Sequence, residues 1–207
     1  MGDGRLFPAT LMPDRDWWQA LWPNPTQVLV AMGIVSGMTA IDLGCGDGYF
    51  TAPMANLVGT GKVTGFDLNP QMLAQAQANC AGLPAIEWIA GDAMVLSRLV
   101  MEKVDYVLMA NTFHGVPDKT GLAREVWSVL KPGGRFAVIN WHPVAREETT
   151  VLGLPRGPAT SLRLSPDATR LVVEPVGFRF DGQVEFLPYH YGMWFVRESS
   201  VAHVRDI

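Results

Sequence analysis

The chain has 207 residues, of which 48% are hydrophobic and 17% charged, and its formal net charge is −4 at pH 7. This length and composition predict one soluble globular domain, residues 1–207, with a sizeable core. The negative charge and the absence of basic runs argue against nucleic acid or an anionic membrane surface as a partner, and no apolar run approaches the roughly 18 residues of a membrane span.

Cysteine usage and the N-terminal sequence indicate the cytoplasm. Cys45 and Cys80 are the only cysteines. They are too few for a disulfide framework and do not have a metal-ligand spacing, so no metal site is expected. Residues 1–18 lack the basic stretch followed by an apolar one that marks a secretory signal. We therefore expect a cytoplasmic protein; the sequence does not indicate its oligomeric state.

Short β-rich runs alternate with helical patterns along residues 14–140, which is typical of a parallel sheet flanked by helices. Helices are predicted at 14–22 and at 25–35, the second capped by Asn24 with Pro25 at its first position. Strands follow at 39–43, 62–66, 86–90, 104–110 and 135–140. Further helices are predicted at 50–58, 70–78, 118–130 and 166–174.

The C-terminal part departs from this alternation. Residues 178–197, FRFDGQVEFLPYHYGMWFVR, contain two β-rich runs joined around Leu187-Pro188. The connection is too short for a crossover helix, so the two strands should be antiparallel. The sequence therefore predicts an α/β fold of five parallel units and a terminal antiparallel hairpin.

The stretch IDLGCGDGYF, residues 41–50, ends the first predicted strand with Gly44, Gly46 and Gly48. In open α/β sheets the first strand-to-helix turn holds a ligand, and glycine lets the main chain approach it. A dinucleotide loop, G-x-G-x-x-G, requires its third glycine where this chain has Tyr49, and no triphosphate-binding loop is present. The loop alone leaves NAD, FAD, a nucleotide and S-adenosylmethionine (SAM) open as ligands.

Polar residues end the next strands at the same edge of the predicted sheet. Asp67 can accept two hydrogen bonds from ribose hydroxyls, and Asn69 already supplies the cap of the following helix, which favours ribose binding over capping. Asp92 is placed to accept from an adenine amine, although Gly-Asp also forms an ordinary turn. Asn111 ends the fourth strand.

These motifs, in this order, resemble those of the class I SAM-dependent methyltransferases of the small single-domain type. The resemblance rests on hh-D-L-G-C-G-x-G (h, apolar) and on L-K-P-G-G before the fifth strand. It covers residues 39–140 by motif, and the hairpin extends it to 197. It implies a doubly wound, Rossmann-like sheet of seven mostly parallel strands with a C-terminal antiparallel hairpin. It also implies SAM as cofactor and S-adenosylhomocysteine (SAH) as product.

The resemblance implies a set of cofactor-binding residues: Asp42, Gly44, Cys45, Gly46, Gly48, Asp67, Leu68, Asp92, Ala93 and Asn111. The glycine loop and Asn111 would line the methionine part of SAM, with Asp42 supporting the loop from beneath. Asp67 would hold the ribose, and the residues that follow the second and third strands would contact the adenine. Acidic residues suit SAM because it carries a sulfonium cation and no pyrophosphate.

Residues after the fourth and fifth strands are predicted to line a substrate pocket. His114 and His142 occupy these places, and each is a candidate for pocket lining or for the general base. Phe113 and Trp141 are expected beside them, with Trp18 approaching from the N-terminal segment.

Two segments are candidates to cover this pocket. Residues 1–37 would cover the cofactor cleft, and their tryptophans could equally be core anchors. Residues 143–164 form a long loop that could contact substrate. Its arginines Arg146, Arg156 and Arg163 could meet an anionic substrate or keep a surface loop soluble.

The sequence therefore predicts methyl transfer from SAM to a small-molecule acceptor, at O, N, S or C, by in-line displacement. The Asn/Asp-Pro-Pro-aromatic motif of amide and base-amine methyltransferases is replaced by NTFH, and Asn111 and Asn140 stand where metal-dependent catechol enzymes have carboxylates. A quinone-like carbon, as in the ubiquinone/menaquinone C-methyltransferases that share this loop, is one candidate acceptor. A nicotinamide-dependent oxidoreductase and a non-catalytic SAM-binding module are the alternatives.

Overall fold

The computed structural model describes residues 13–83 and 86–198. Within them the strands are β1 (Thr39–Leu43), β2 (Lys62–Asp67), β3 (Ile86–Ala90), β4 (Val104–Ala110), β5 (Leu130–Trp141), β6 (Thr150–Val151), β7 (Leu154–Pro155), β8 (Phe178–Phe186) and β9 (His190–Arg197). The α-helices are α1 (Arg15–Leu21), α2 (Pro25–Ala31), α3 (Thr51–Val58), α4 (Pro70–Asn79), α5 (Leu96–Leu99), α6 (Lys119–Val129) and α7 (Pro166–Val173). Each of these described helices is too short or too polar to cross a membrane.

One seven-stranded sheet, in the order β3-β2-β1-β4-β5-β9-β8, organises the chain. Strands β1 to β5 run parallel, whereas β9 pairs antiparallel with both β5 and β8. The predicted parallel units and terminal hairpin are therefore confirmed. Strand order reverses between β1 and β4, and in open α/β sheets such a switch point is where a ligand binds.

Helices cover both faces of the sheet. The helices α1 to α3 contribute Trp18 and Leu29 to the core on one face, and α5 to α7 contribute Val126 and Val173 to the core on the other. The central strands are buried on both sides, which explains their continuous apolar sequences. This arrangement confirms the doubly wound architecture.

The predicted helix starts are formed by the expected side chains. Asn24 Oδ1 accepts from the backbone N–H of Gln27 at 3.1 Å, and Asn69 Oδ1 accepts from that of Gln71 at 2.9 Å. Each bond satisfies a backbone donor that the first helical turn leaves free. The caps fix the point at which α2 and α4 begin, and hence where the preceding loops end.

Three local features differ from the sequence-based expectation. Helix α2 ends at Ala31 rather than near residue 35, because Gly33 takes a φ of +85°. Strand β5 begins at Leu130 and pairs with β4 on both sides of an irregularity, so KPGG lies within a bulged strand. The 143–164 segment contains the β6–β7 hairpin in place of a continuous loop.

Candidate active site

The loop between β1 and α3 has a backbone that requires its glycines. Gly44, Gly46 and Gly48 have φ values of +78°, +55° and +86°. A Cβ on Gly44 would lie 3.0 Å from Thr112 Oγ1, so this turn approaches the end of β4 closely. Gly48 instead faces α4, where a Cβ would lie 3.1 Å from Cys80 Sγ. The first two glycines therefore shape the site, and the third packs the loop onto α4.

Asp67 fixes the loop against the end of β2. It is buried; its Oδ2 accepts from the Gly46 N–H at 2.9 Å, and its Oδ1 accepts from the Asn69 N–H at 2.8 Å. A carboxylate oxygen can accept more than one hydrogen bond, so both oxygens keep capacity for a ligand. Asp67 thus organises the loop and remains available to hydroxyl groups.

Asp42 lies beneath the loop, as expected. It is 1% exposed and accepts from Thr51 Oγ1 at 2.6 Å. Burial raises the pKa of Asp42 to about 7, and the nearby Asp67 and Asp47 act in the same direction. Two carboxyl groups on one side of the site favour a ligand that carries positive charge.

A cavity of about 280 Å³ opens beside the loop, at the carboxyl ends of β1 and β4. We call it the main cavity. Its base is formed by Asp42, Gly44, Cys45, Gly46 and Asp67. Its walls are aromatic: Trp17, Trp18, Tyr49, Phe50 and Trp141. None of the described residues that line it is a lysine or an arginine.

The segment that follows β4 lines the main cavity and carries buried polar atoms without partners. Asn111, with a φ of +58°, has a buried side-chain amide whose two polar atoms find no partner within the described residues, and the same holds for Thr112 Oγ1 and His114 Nδ1. Burial lowers the pKa of His114 to about 4, so its imidazole is neutral at pH 7. An unpaired buried polar group costs about 1–3 kcal/mol, which is consistent with a ligand as the missing partner.

A smaller cavity of about 70 Å³ continues from the main one and shares Gly44 and Asp67 with it. Leu68, Asp92 and Ala93, which the resemblance assigns to the adenine, line it; that assignment stays a prediction. Asp92 Oδ1 also accepts from the Met94 N–H at 2.9 Å. Asp92 therefore caps a turn and lines the cavity at once.

Two residues expected in the substrate pocket lie elsewhere. Phe113 is fully buried in the core on the α6 side of the sheet, where its ring centroid is 6.0 Å from that of Phe136. His142 Nε2 is 2.7 Å from Glu185 Oε2, outside the cavity lining. Successive side chains at the end of a strand point to opposite faces, so Trp141 enters the main cavity and His142 does not.

The cysteine and histidine chemistry of the site is restricted. Cys45 is buried, and burial raises the pKa of its thiol, so it is a loop residue rather than a nucleophile. His190 is buried between Trp22 and Trp141, with ring centroids 4.6 and 4.0 Å away. Residues 13–83 and 86–198 hold no group of three or more His, Cys, Asp or Glu arranged to bind a metal.

Sequence reasoning missed part of the cavity wall. Trp17 lies beside Trp18 both in the cavity lining and in the core. Residues 1–12 lie outside the described part, and the covering role of residues 1–37 stays a prediction. Tyr49 lines the cavity and donates its hydroxyl to the Trp22 carbonyl at 2.6 Å. Pro158 comes from the 143–164 segment. Of these wall residues, only the adjacent tryptophans were indicated by the sequence.

The fold and the loop together define a Rossmann-like domain with a ligand site at the carboxyl ends of its parallel strands. Tyr49 fills the place of a dinucleotide loop's third glycine, and the site offers carboxyl groups where a pyrophosphate would need donors. The site thus favours a ligand with a cationic part over a dinucleotide.

Comparisons with known proteins agree. Residues 40–134 match the family model described as a methyltransferase domain. Demethylmenaquinone methyltransferase of Staphylococcus aureus (strain MRSA252) is 37% identical over 109 residues, which are 52% of this chain and 45% of that protein. The chain therefore spans less than half the length of the curated relatives it matches.

Two solved structures share the fold. A SAM-dependent methyltransferase from Aquifex aeolicus has a TM-score of 0.75 at 26% identity, covering 89% of this chain and 94% of that one. Magnesium protoporphyrin IX methyltransferase from Synechocystis PCC 6803, with bound SAH, has a TM-score of 0.63 at 19% identity, covering 88% and 93%. These likenesses support a class I SAM-dependent methyltransferase with SAM as its cofactor.

The residues present fit this cofactor. Among the residues that line the cavity, Asn111 has an unpartnered amide and Gly44 approaches Thr112 closely with no side chain of its own. The carboxyl groups of Asp42 and Asp67 lie at its base, where a cationic group is favoured.

Proposed function

We propose that the protein transfers a methyl group from SAM to a small, uncharged aromatic molecule bound in the main cavity. One observation carries this proposal: the cavity adjoins the glycine loop, has aromatic walls, and lacks lysine and arginine among the described residues of its lining. Aromatic walls bind planar rings through stacked and edge-to-face contacts. An anionic acceptor would find no counter-charge there and would face Asp42 and Asp67.

The named relative supports a ring as acceptor. The S. aureus protein is called a demethylmenaquinone methyltransferase, and the acceptor that this name implies is a quinone. We carry over only the coarser property, a flat uncharged ring.

The residues of this chain would divide the work between two halves of the site. The glycine loop, Asn111 and Asp67 would hold the methionine and ribose parts of the cofactor, and Leu68 with Asp92 the adenine. When bound, SAM supplies a sulfonium methyl group that a nucleophile takes by in-line displacement. The aromatic walls orient the acceptor and exclude water, and such alignment can lower a barrier by about 7–11 kcal/mol.

His114 is the group available to handle a proton. His114 lines the cavity, its buried Nδ1 has no partner among the described residues, and its low pKa keeps the ring neutral. It would accept a hydrogen bond from a hydroxyl or amine of the acceptor and take up its proton during transfer. Among the described histidines, His114 alone reaches the main cavity.

The test is methyl transfer in a cell extract. The protein is incubated with methyl-labelled SAM and extract, and labelled small molecules are passed over an anion exchanger. We expect label in an uncharged, ultraviolet-absorbing product, and none with the Asp67→Ala variant. Label confined to protein, nucleic acid or retained anionic molecules, or no transfer despite SAM binding, would contradict the proposal; the last result would favour a non-catalytic SAM-binding module.

A further inference from the structure

Arg163 is a buried arginine in the 143–164 segment. It is 7% exposed, and no Asp or Glu oxygen of the described residues lies within 4 Å of its guanidinium. Taking an ion out of water costs several kcal/mol unless other groups compensate. Neither alternative drawn from the sequence, contact with an anionic substrate or solvation of a surface loop, describes this position.

The compensating groups all belong to the segment itself. Arg163 Nη1 donates to the Val144 carbonyl at 3.0 Å, and Nη2 donates to Thr149 Oγ1 at 3.0 Å and to the Arg156 carbonyl at 3.2 Å. Nε and Nη2 both donate to the Pro158 carbonyl, at 3.2 and 3.1 Å. One side chain therefore joins the start, the middle and the end of the segment.

The same guanidinium contacts the wall of the main cavity. Arg163 Cζ lies 5.0 Å from the ring centroid of Trp141, and Trp141 lines the cavity. Gly157 and Pro158, which we call the roof, line it as well. Gly157 has a φ of +86°, and a Cβ there would lie 2.9 Å from the Trp141 ring. The roof is thus held against Trp141 with no room for a side chain.

We propose that Arg163 is a positioning residue for the acceptor: its fork of donors holds the roof on Trp141 and so sets the width of the cavity in which a flat ring binds. The identification of that ring as the methyl acceptor rests on the proposed function. Lysine cannot replace Arg163, because its single ammonium lacks the planar set of five donors that reaches several carbonyls at once.

The test separates the two ligands of the site. Arg163→Lys, Arg163→Gln and Gly157→Ala are compared with wild type and with Arg170→Gln, which removes an arginine paired with Glu174 and packed on Phe180 outside the cavity lining. The probes are SAH, titrated by calorimetry, and 2-naphthol, an uncharged planar ring, titrated by fluorescence with SAH saturating. Hydrogen exchange of residues 143–164 is followed by mass spectrometry.

We expect the Arg163 variants to raise the Kd for 2-naphthol by about tenfold or more while the Kd for SAH stays within about twofold. Hydrogen exchange should accelerate in residues 143–164 and not in β1 to β4. Gly157→Ala should weaken the binding of 2-naphthol alone, and Arg170→Gln should change the binding of neither ligand. A general loss of folding would instead weaken both ligands together.

Four results would overturn the proposal: equal weakening of both probes in Arg163→Lys, unchanged 2-naphthol binding in the Arg163 variants, unchanged binding in Gly157→Ala, or no binding of 2-naphthol to the wild type. Failure of the proposed function is distinguishable. In that case the extract experiment gives no labelled product, while the difference between 2-naphthol and SAH binding persists in these variants.

Discussion

At the scale of single residues, the site contains buried or strained polar groups whose energetic cost the fold alone does not explain. Asn111 has a left-handed backbone and an amide without a partner among the described residues. Asp42 is a carboxyl group buried beside two others. His114 is buried with a free ring nitrogen. Such costs are tolerated at ligand sites, where the ligand supplies the missing interactions.

Two substitutions of Asn111 can separate the role of its backbone from that of its side chain. Asn111→Gly keeps the positive φ at no steric cost, whereas Asn111→Ala places a Cβ in the left-handed region at a cost of about 1–2 kcal/mol. We expect both variants to bind SAH more weakly, and only the alanine variant to lose stability in chemical denaturation. Unchanged SAH binding by the glycine variant would show that the amide does not contact the cofactor.

The His114 ring should stay neutral across the physiological pH range. Its pKa of about 4 follows from burial, so the protonated, charged ring forms only under acid conditions. In an NMR titration, the ring resonance assigned by its loss in His114→Gln should not shift between pH 5.5 and 8. A midpoint near the ordinary value of about 6.5 would mean that the ring is solvated, and would remove His114 from the buried cavity wall.

Asp42 should make the protein less stable as the pH rises. Its pKa is raised from 3.8 to about 7, so between these values the folded state retains a proton that the unfolded chain has lost. Stability then falls with pH, by up to about 1.4 kcal/mol per unit. Asp42→Asn, which can still accept from Thr51, should lack this slope in SAH-free urea unfolding from pH 5 to 8. If the free energy of unfolding changed with pH in the same way for wild type and Asp42→Asn, the prediction would be refuted.

The location of the predicted site residues follows the sequence pattern where position at the end of a strand is enough; their roles stay predictions. Asp67, Asp92 and Asn111 follow strands whose carboxyl ends meet at one edge, and the structure brings them to adjoining cavities. Phe113 and His142 are also near that edge but face away from the main cavity. A shift of one residue along a strand moves a side chain to the opposite face of the sheet. The sequence pattern does not fix the position of a strand end to one residue.

At the scale of elements, the β6–β7 hairpin is locally strained. Its two turn residues, Leu152 and Gly153, have φ values of +50° and +76°, as in the type I′ turns that favour Asn-Gly. Leu152 is also 61% exposed. A leucine therefore occupies a position at which its backbone is disfavoured and its side chain gains little burial.

Replacing that leucine should stabilise the protein. Leu152→Asn relieves the left-handed strain, and we expect unfolding to require about 1 kcal/mol more. Leu154→Asn is the matched control, because Leu154 is similarly exposed but lies in the extended strand β7. A stabilisation shared by both variants, or absent from Leu152→Asn, would show that backbone strain is not the cause.

The bounds of helices and strands were predictable from apolar runs and capping residues. Proline and glycine were less reliable as markers of where an element ends. β1 and β4 were predicted with the bounds that the structure gives, since both are short apolar runs. The start of β5 was placed too late, because pairing with Val104 extends the strand back to Leu130. Tertiary pairing here overrides the local preference of proline and glycine to end an element.

At the scale of the whole molecule, the main cavity is lined by residues inside and outside the range that the family model matches. The family model covers residues 40–134, which contain the glycine loop and the lining of the smaller cavity. Trp17, Trp18, Trp141 and the roof lie outside that range. Arg156 Cζ lies 5.3 Å from the centroid of the Trp17 ring, so the N-terminal segment and the 143–164 segment are in contact. The family match therefore covers the glycine loop, whereas much of the aromatic wall of the main cavity lies outside it.

The central claim is that the glycine loop and Asp67 hold the nucleoside and methionine parts of SAM. Its most direct test is calorimetric titration of SAH and NADH into wild type, Asp67→Ala and Asp105→Ala. Asp105 is the control, because it binds the Thr39 N–H at 2.9 Å and Lys131 at 2.7 Å outside both site cavities. We predict one SAH site, a Kd raised about tenfold or more by Asp67→Ala alone, and no NADH binding. Tight NADH binding, or SAH binding unaffected by Asp67→Ala, would contradict the account.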